Sequence, residues 1–190
     1  MQFTPLTTAV LGFFLSSVSA MPTALLNRDV STTQYEISTL KTHFMGKNSG
    51  IADGSWPPGS EFNSTIELVI NYPSAVAEST IPETATCTAN WVYGTHPDDW
   101  VLCDDANLAW KFTEFNTEAS FTIEVGRKFS EGNVYTGSVR ITSNRQDNDS
   151  WFTCIGGAPT TGINCNLDGI MSQQKSPIPV GIAPDPSASF

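Results

Sequence analysis

The sequence predicts an all-β protein, a compact antiparallel β-barrel or sandwich with two local disulfides. The first observation is a series of short segments in which apolar and polar residues alternate with a period of two. The second is the turn-rich sequence that separates these segments at hairpin-like intervals, and the third is an even number of cysteines, four. No segment has a convincing helical period, so antiparallel sheets are the favoured architecture.

The chain begins with an uncharged, apolar segment that ends in Val18-Ser19-Ala20, the small-residue pattern of a signal-peptidase site. Its apolar stretch is shorter than the ~20 residues that span a bilayer, and no later segment is more apolar. We therefore expect a signal peptide at 1–20, a segment at 21–34 that can be trimmed, and a secreted, extracellular protein. A buried N-terminal helix is the alternative for residues 1–20.

One domain is expected over residues 35–171, with YEISTLKTHFM as its first strand. In STIELVINYP, the residues Ile66, Leu68 and Ile70 fall on one face of the next strand. LAWKFTEF, ASFTIEVGRKF and NVYTGSVRIT predict further strands, the first of which places Trp110 among the buried positions. The Gly- and Pro-rich GIADGSWPPGSEFN between the first two strands predicts irregular structure.

The last segment, SQQKSPIPVGIAPDPSASF at 172–190, carries four prolines among polar residues. Such a composition is typical of extended, poorly ordered chain, since it offers little apolar surface to bury. The sequence therefore predicts a proline-rich flexible tail outside the core.

In a secreted chain, four cysteines predict two disulfides rather than a zinc site, because no CxxC motif and no histidine pair lies nearby. Three connectivities are open, and we favour the sequential one, Cys87–Cys103 and Cys154–Cys165, because each pair closes a short loop. In the chain-entropy model a loop of this length stabilises the fold by about 3 kcal/mol.

The net charge is −10 and the isoelectric point is near 4.4. Such a surface repels nucleic acid and anionic membranes, so neither is an expected partner. The acidic residues Asp98, Asp99, Asp104 and Asp105 cluster along one segment, but they lack the ligand spacing and the glycine of a calcium-binding loop. We expect a solvated acidic loop, no metal and no cofactor.

Groups for catalysis are few, so we expect a protein that is not an enzyme. The two histidines are His43 and His96, no GxSxG motif is present, and the cysteines are expected to be paired. His43 lies in the first strand, where a solvent-facing or hydrogen-bonded structural role is expected. The enzymatic alternative is a weak glycoside hydrolase that uses Glu67 and Glu124, which would have to lie ~5 Å apart in a cleft.

Tryptophans beside loops are the candidate binding residues, because flat side chains can stack on sugar rings or planar ligands. These residues are Trp56, Trp91 and Trp151. For Trp91 and Trp100, which the first cysteine pair brackets, folding back onto the end of the domain is the alternative. A hairpin tied by that disulfide would hold Trp100 against the hydrophobic interior.

Two sequons for N-glycosylation, Asn63-Ser64-Thr65 and Asn148-Asp149-Ser150, lie beside turn-rich segments. Surface exposure at these turns would make Asn63 and Asn148 accessible acceptors, so both are candidate glycosylation sites. If both carry glycans, those two edges of the domain are not the binding surface.

The cysteine pattern resembles that of the fungal Alt a 1-like family of secreted allergens and effectors. The matching features are Cys87, the motif Trp100-Val101-Leu102-Cys103, and the pair Cys154 and Cys165 that follows a run of amphipathic strands. The early YEISTLKTHFMGK is also similar to the opening strand of the family, and the resemblance spans roughly residues 35–167. It implies a compact β-barrel closed by the same two local disulfides.

The resemblance also implies a non-catalytic protein that acts at the plant–fungus interface, by binding a host extracellular protein or a small aromatic ligand. The best-known member dimerises through an additional cysteine ahead of its first strand, whereas this chain has no cysteine before Cys87. We therefore expect a monomer or a non-covalent dimer. The alternatives are a carbohydrate-binding or weakly hydrolytic protein acting on cell walls, and a structural or self-recognition protein of the fungal surface.

Overall fold

The computed structural model describes residues 34–74 and 82–190 of the chain. The expected signal peptide at 1–20 and the segment 21–34, apart from its last residue, lie outside the described residues. The described part contains strands and no helix, so the all-β prediction is confirmed. No helix in this part is long and apolar enough to cross a membrane.

Within residues 34–74 and 82–190, eleven strands form two antiparallel sheets. In chain order the strands are β1 (Gln34–Phe44), β2 (Ser64–Tyr72), β3 (Glu83–Trp91), β4 (Val101–Leu102), β5 (Leu108–Thr117), β6 (Ser120–Ser130), β7 (Asn133–Thr142), β8 (Phe152–Gly156), β9 (Ile163–Leu167), β10 (Ile178–Gly181) and β11 (Ala183–Pro184). Sheet A has the order β3-β2-β1-β9-β8, with β10 paired to the first residues of β1. Sheet B has the order β11-β7-β6-β5-β4.

The core lies between the two sheets and is formed by the alternating residues that the sequence predicts. Ile66, Leu68 and Ile70 of β2 are buried in sheet A, and Phe121 of β6 is buried in sheet B. Across the interior, the ring centroid of Phe44 lies 6.2 Å from that of Phe121. Because the strands form two separate ladders that pack through their apolar faces, the arrangement is sandwich-like.

The prediction of a flexible tail is wrong. Within residues 172–190, β10 pairs with β1 and β11 pairs with β7, and the side chains of Ile178, Val180 and Ile182 are buried. These three residues alternate with a period of two, which the proline-rich composition obscures. Pro179 is tolerated because β10 lies on an edge, where a strand does not need every backbone N–H for pairing.

The predicted pairing of Cys87 with Cys103 is confirmed, but the disulfide does not tie a hairpin. Cys87 lies in β3 of sheet A, whereas Cys103 directly follows β4 of sheet B. Two hydrogen bonds accompany this inter-sheet disulfide: Asp104 N–H donates to the Thr86 carbonyl at 2.9 Å, and Thr86 N–H donates to Asp104 Oδ1 at 2.7 Å. The bond therefore connects the edges of the two sheets.

The second predicted pair, Cys154–Cys165, is also confirmed. The two cysteines face each other directly in the β8–β9 ladder, so this hairpin disulfide reinforces a pairing that backbone hydrogen bonds already form. The described residues contain no free cysteine.

Trp100 does not pack into the interior as predicted. Its ring lies on the outer face of sheet B over Gly126, where an added Cβ would approach the indole to 2.9 Å. The Lys111 ammonium lies 4.5 Å from the ring centroid, and the ring of Phe190 lies 5.0 Å away. Glycine at position 126 provides the space for this contact. Trp110, in contrast, is fully buried as predicted.

Candidate binding site

The three candidate binding tryptophans have different surroundings and do not form one platform. The indole N–H of Trp56 donates to the Gly46 carbonyl at 3.0 Å, which ties the loop to the end of β1. Trp151 is half-buried against the core, and its indole nitrogen has no hydrogen-bond partner among the described residues. Trp91 is only 8% exposed and packs edge-on against Phe112, which agrees with the alternative in which it folds back onto the end of the domain.

Trp91 nevertheless contributes to a cavity of about 180 Å³ at the end of the sandwich where β1 and β3 finish. We call it the end cavity. It is lined by Phe44, Met45, Ser64, Trp91, Tyr93, Gly94, Thr95, His96, Phe115 and Glu118. Both sheets contribute to it, since β1, β2 and β3 belong to sheet A and Phe115 lies in β5 of sheet B.

A tight turn after β3 carries Tyr93 over the end of the domain. Thr95 N–H donates to the Val92 carbonyl at 3.2 Å, and the Thr95 hydroxyl donates to the same carbonyl at 2.9 Å. Gly94 occupies the third position of this turn with a φ of 84°, a left-handed conformation that favours glycine. The turn leaves Val92 57% exposed and Tyr93 46% exposed.

Five of the ten residues that line the end cavity carry an aromatic ring. The centroid of Phe44 lies 6.0 Å from those of Trp91 and Phe115, and His96 stacks on Phe115 at 4.9 Å. These separations fall within the ~4.5–7 Å range of favourable aromatic pairs, so the rings support one another. Because several of these rings also belong to the core, the wall is held in a fixed geometry.

The polar residues of the lining have few internal partners. Ser64 Oγ accepts a hydrogen bond from Met45 N–H at 3.0 Å. The Nδ1 atom of His96 is buried without a hydrogen-bond partner in the described part of the chain. The Glu118 side chain makes no ion pair or hydrogen bond with a described residue. Stacking on Phe115 is therefore the contact that positions the His96 ring. The negative charge of Glu118 is not paired with a lysine or arginine of the described residues.

A second depression, of about 460 Å³, adjoins the end cavity and shares Met45 and Tyr93 with it. We call it the outer depression; its other lining residues are Glu61, Phe62, Asn63 and Val92. The sequon residue Asn63 is exposed at this position, and Asn148 is exposed elsewhere on the domain. Glycosylation of both remains a prediction, and a glycan on Asn63 would stand beside the outer depression.

The two glutamates of the hydrolase alternative are not brought together. Glu67 lies in sheet A and pairs with Lys41 at 3.0 Å, whereas Glu124 lies in sheet B and pairs with Lys111 at 3.1 Å. Both are on the strand faces opposite the core, so the sandwich separates them. They cannot form the carboxylate pair ~5 Å apart that a retaining glycosidase requires.

A shallow polar groove of about 480 Å³ lies on the outer face of sheet A. We call it the sheet A groove; it is lined by Lys41, Thr42, His43, Thr65, Ile66, Glu67, Thr88, Ala89, Asn90, Asn164 and Asn166. His43 Nε2–H donates to the Thr161 carbonyl at 2.7 Å, and the imidazole stacks on Phe62 at 4.4 Å. The expected structural role of His43 is therefore confirmed.

The acidic segment has local structural roles. Asp98 and Asp99 are exposed, while Asp105 accepts hydrogen bonds from the Tyr72 hydroxyl at 2.8 Å and from Asn107 N–H at 2.9 Å. Burial acts to raise the pKa of Asp105, but these hydrogen bonds and the charge of Arg127 together hold that pKa below its ordinary value. Within residues 34–74 and 82–190, no three His, Cys, Asp or Glu side chains are grouped as metal ligands.

Sequence reasoning missed a buried arginine at the end of the sandwich opposite the end cavity. Arg127 donates to the Pro73 carbonyl at 3.0 Å and to the Tyr35 hydroxyl at 3.3 Å, and its guanidinium lies 4.5 Å from the Tyr72 ring centroid. Burial is the main cause that raises the pKa of Tyr35. The sequence did contain a pattern that indicates this burial, because position 127 continues the inward-facing alternation of β6 that includes Val125. These contacts satisfy Arg127 internally.

Comparison of the chain with protein-family models, with curated proteins and with solved structures finds no match in any of the three. The end cavity with its adjoining outer depression is the candidate site on geometric grounds. It combines aromatic rings around a partly open cavity, a carboxylate with no ion-pair partner among the described residues, and an exposed apolar rim.

Proposed function

We propose that this protein is a secreted, non-enzymatic binding protein of the effector, elicitor or allergen-like kind. It acts at the plant–fungus interface by binding a host extracellular protein or a small ligand. The resemblance to the Alt a 1-like family suggests the biological setting, and two disulfides are compatible with an extracellular location. The end cavity is the observation that carries the binding function.

Concave, largely preformed sites that combine apolar walls with a few polar groups are typical of small-molecule binding. The end cavity shares the concave shape and combines aromatic with polar lining residues, and the exposed Val92 and Tyr93 extend it to the surface. Exposed apolar residues around a concavity are also typical of sites for protein partners. The same end of the sandwich therefore serves either kind of partner.

The arrangement of the lining residues supports binding rather than catalysis. A hydroxyl nucleophile requires a neighbouring base within hydrogen-bond reach. In the described part of the chain, Ser64 Oγ has Met45 N–H as its hydrogen-bond partner, and no hydrogen bond joins it to His96. The two glutamates of the hydrolase alternative lie on opposite faces of the sandwich.

A pull-down from plant extracellular fluid with the mature protein tests the proposal. A Val92→Asp variant places a charge on the exposed rim, and Ile170→Asp places the same charge at a side chain that is 86% exposed outside the site. We expect capture of a discrete host protein by the wild type and by Ile170→Asp, and its loss from Val92→Asp. Equal capture by all three proteins would place recognition elsewhere and contradict the assignment of this site.

Carbohydrate binding is the second candidate, and the sheet A groove favours it. Its lining presents amide and hydroxyl groups from Asn90, Asn164 and Thr65, which can donate and accept hydrogen bonds to sugar hydroxyls. Lys41 and Glu67 also line the groove, and they form an ion pair. Their charges therefore cancel, which suits an uncharged ligand.

Retention on washed plant wall polysaccharide tests the second candidate. An Asn90→Ala, Asn164→Ala double variant should lose retention, whereas Asn116→Ala, an exposed asparagine of sheet B, should retain it. Retention of all three proteins alike would show that the groove is not the sugar site. Release of reducing sugar by the wild type would contradict the non-enzymatic assignment.

A further inference from the structure

We propose that the end cavity binds the quaternary ammonium group of a small free cation. The inference rests on the proposed function, since it names the ligand class for the same site. Aromatic rings, carboxylates without a lysine or arginine in the same lining, and the size of the cavity support it.

The first support is the aromatic wall. A cation within ~6 Å of a ring centroid is attracted by the negative face of the ring, and quaternary ammonium groups are commonly recognised by enclosures of several rings. Among the lining rings, Tyr93 is 46% exposed and Phe115 is partly exposed. Trp91 is 8% exposed, and the fully buried Phe44 lies 6.0 Å from it. Trp91 offers the ring type with the strongest attraction for a cation.

The second support is the charge around the site. No lysine or arginine belongs to the lining of the end cavity or of the outer depression, whereas Glu118 lines the former and Glu61 the latter. Glu118 has no cationic partner among the described residues. A bound cation would supply the missing countercharge, and the net charge of −10 would attract it from solution.

The third support is the single carboxylate in the wall. A primary ammonium carries three N–H donors that need acceptors, whereas a fully alkylated nitrogen carries none. Glu118 carries the only carboxylate among the lining residues of the end cavity, so the site offers one anionic group beside its aromatic rings. The wall thus suits a charged group with an apolar surface.

The size of the site agrees with this assignment. A partly open cavity of about 180 Å³ suits a compact head group, and the adjoining outer depression of about 460 Å³ leaves room for its substituent beside Tyr93. A bare metal ion is a poor alternative, because the described residues include no group of metal-binding side chains. A neutral aromatic molecule is the competing occupant, since it would use the rings without needing Glu118.

Calorimetric titration of the mature protein distinguishes these occupants. The probes are choline chloride, its neutral isostere dimethylbutanol, in which carbon replaces the nitrogen, and the neutral aromatic naphthol, all at constant ionic strength. We expect saturable choline binding, and the isostere to bind about tenfold more weakly because it lacks the charge. Sedimentation with phosphatidylcholine vesicles tests the lipid head group as a source, and we expect the protein to stay in solution.

Three variants locate the binding. Tyr93→Leu removes an exposed ring and Glu118→Gln removes the charge, and each should weaken choline binding about fivefold. Glu114→Gln is the matched control, because this exposed carboxylate lies in the same strand as Phe115 and contacts Thr122 rather than the cavity. Since Tyr93 is partly exposed, its variant should keep the wild-type melting temperature and report on binding alone.

Equal affinity for choline and its isostere, or an unchanged affinity in both cavity variants, would overturn the cation assignment. Binding of naphthol alone would also overturn it, but would leave the small-ligand function of the site intact. If none of the probes bound, the cation assignment would be overturned, whereas the proposed binding function would still be decided by the pull-down. Co-sedimentation with vesicles would overturn the assignment to a free ligand.

Discussion

Replacing Ile178 by alanine should strongly destabilise the protein. The side chain of Ile178 is fully buried, and the residue pairs with Ile37 of β1. The substitution removes about three methylene-sized groups at about 0.8 kcal/mol each, or about 2.4 kcal/mol of transfer free energy. The cavity left behind adds to this, so the free energy of unfolding should fall by about 3 kcal/mol.

Urea denaturation followed by tryptophan fluorescence measures this change. With a denaturant slope of about 2 kcal/mol per molar urea, a loss of about 3 kcal/mol lowers the midpoint by about 1.5 M. Ile170→Ala is the matched control, because the same atoms are removed from a side chain that is 86% exposed. Its midpoint should shift by at most about 0.25 M, since surface substitutions usually change stability by less than about 0.5 kcal/mol.

Similar small shifts for the two variants would refute this reasoning. Position 178 would then lie outside the core, as the proline-rich composition of residues 172–190 predicts. A large shift for Ile178→Ala alone would support the pairing of β10 with β1.

Three further predictions concern the disulfides, the acidic segment and the sequons. Replacing both cysteines of the inter-sheet disulfide by alanine should lower the free energy of unfolding by about 3 kcal/mol, because the unfolded chain then loses the closure of a loop with a sequence separation of 16. Urea denaturation measures this change, and an unchanged midpoint would contradict it. The pKa of Asp105 in the folded protein is lower than its ordinary value of 3.8. The ionised carboxylate therefore stabilises the fold above pH 3.8, and this contribution is lost as the pH falls through the lowered pKa. Asp105→Asn should therefore flatten the dependence of melting temperature on pH in that acidic range, and a profile parallel to the wild type would argue against the role of Asp105. Asn63→Gln and Asn148→Gln should each remove the mass of one glycan from protein secreted by a fungal host, and an unchanged intact mass would disprove occupancy at that site.

Local sequence patterns predicted much of the fold because they reflect local constraints on the chain. The alternation of Ile66, Leu68 and Ile70 requires only that one face of a strand be buried, and that face is buried. Short spacing favoured the correct cysteine pairs because nearby cysteines are easily joined. For residues 172–190 the proline-rich composition led to a wrong prediction of a flexible tail. The alternation of Ile178, Val180 and Ile182, which are buried, was given less weight than the four prolines.

The candidate site was only partly predictable. Trp91 was singled out as a loop tryptophan, and it does line the end cavity. Phe115 and Glu118 gave no signal, because residues that meet at the end of a sandwich come from distant parts of both sheets. Trp100 was placed in the interior, since the sequence does not reveal that the disulfide beside it connects two sheets.

The sequence by itself therefore determined the β class and the main strands, and it favoured the correct disulfide partners. Each of these depends on period-two alternation or on short separations along the chain. The tertiary structure decided which strands share a sheet, which face covers Trp100, and that Glu67 and Glu124 lie apart. It also decided where aromatic rings enclose a cavity beside Glu118. The physical reason is that these properties depend on long-range packing of the two sheets, which alternation within a single strand does not encode.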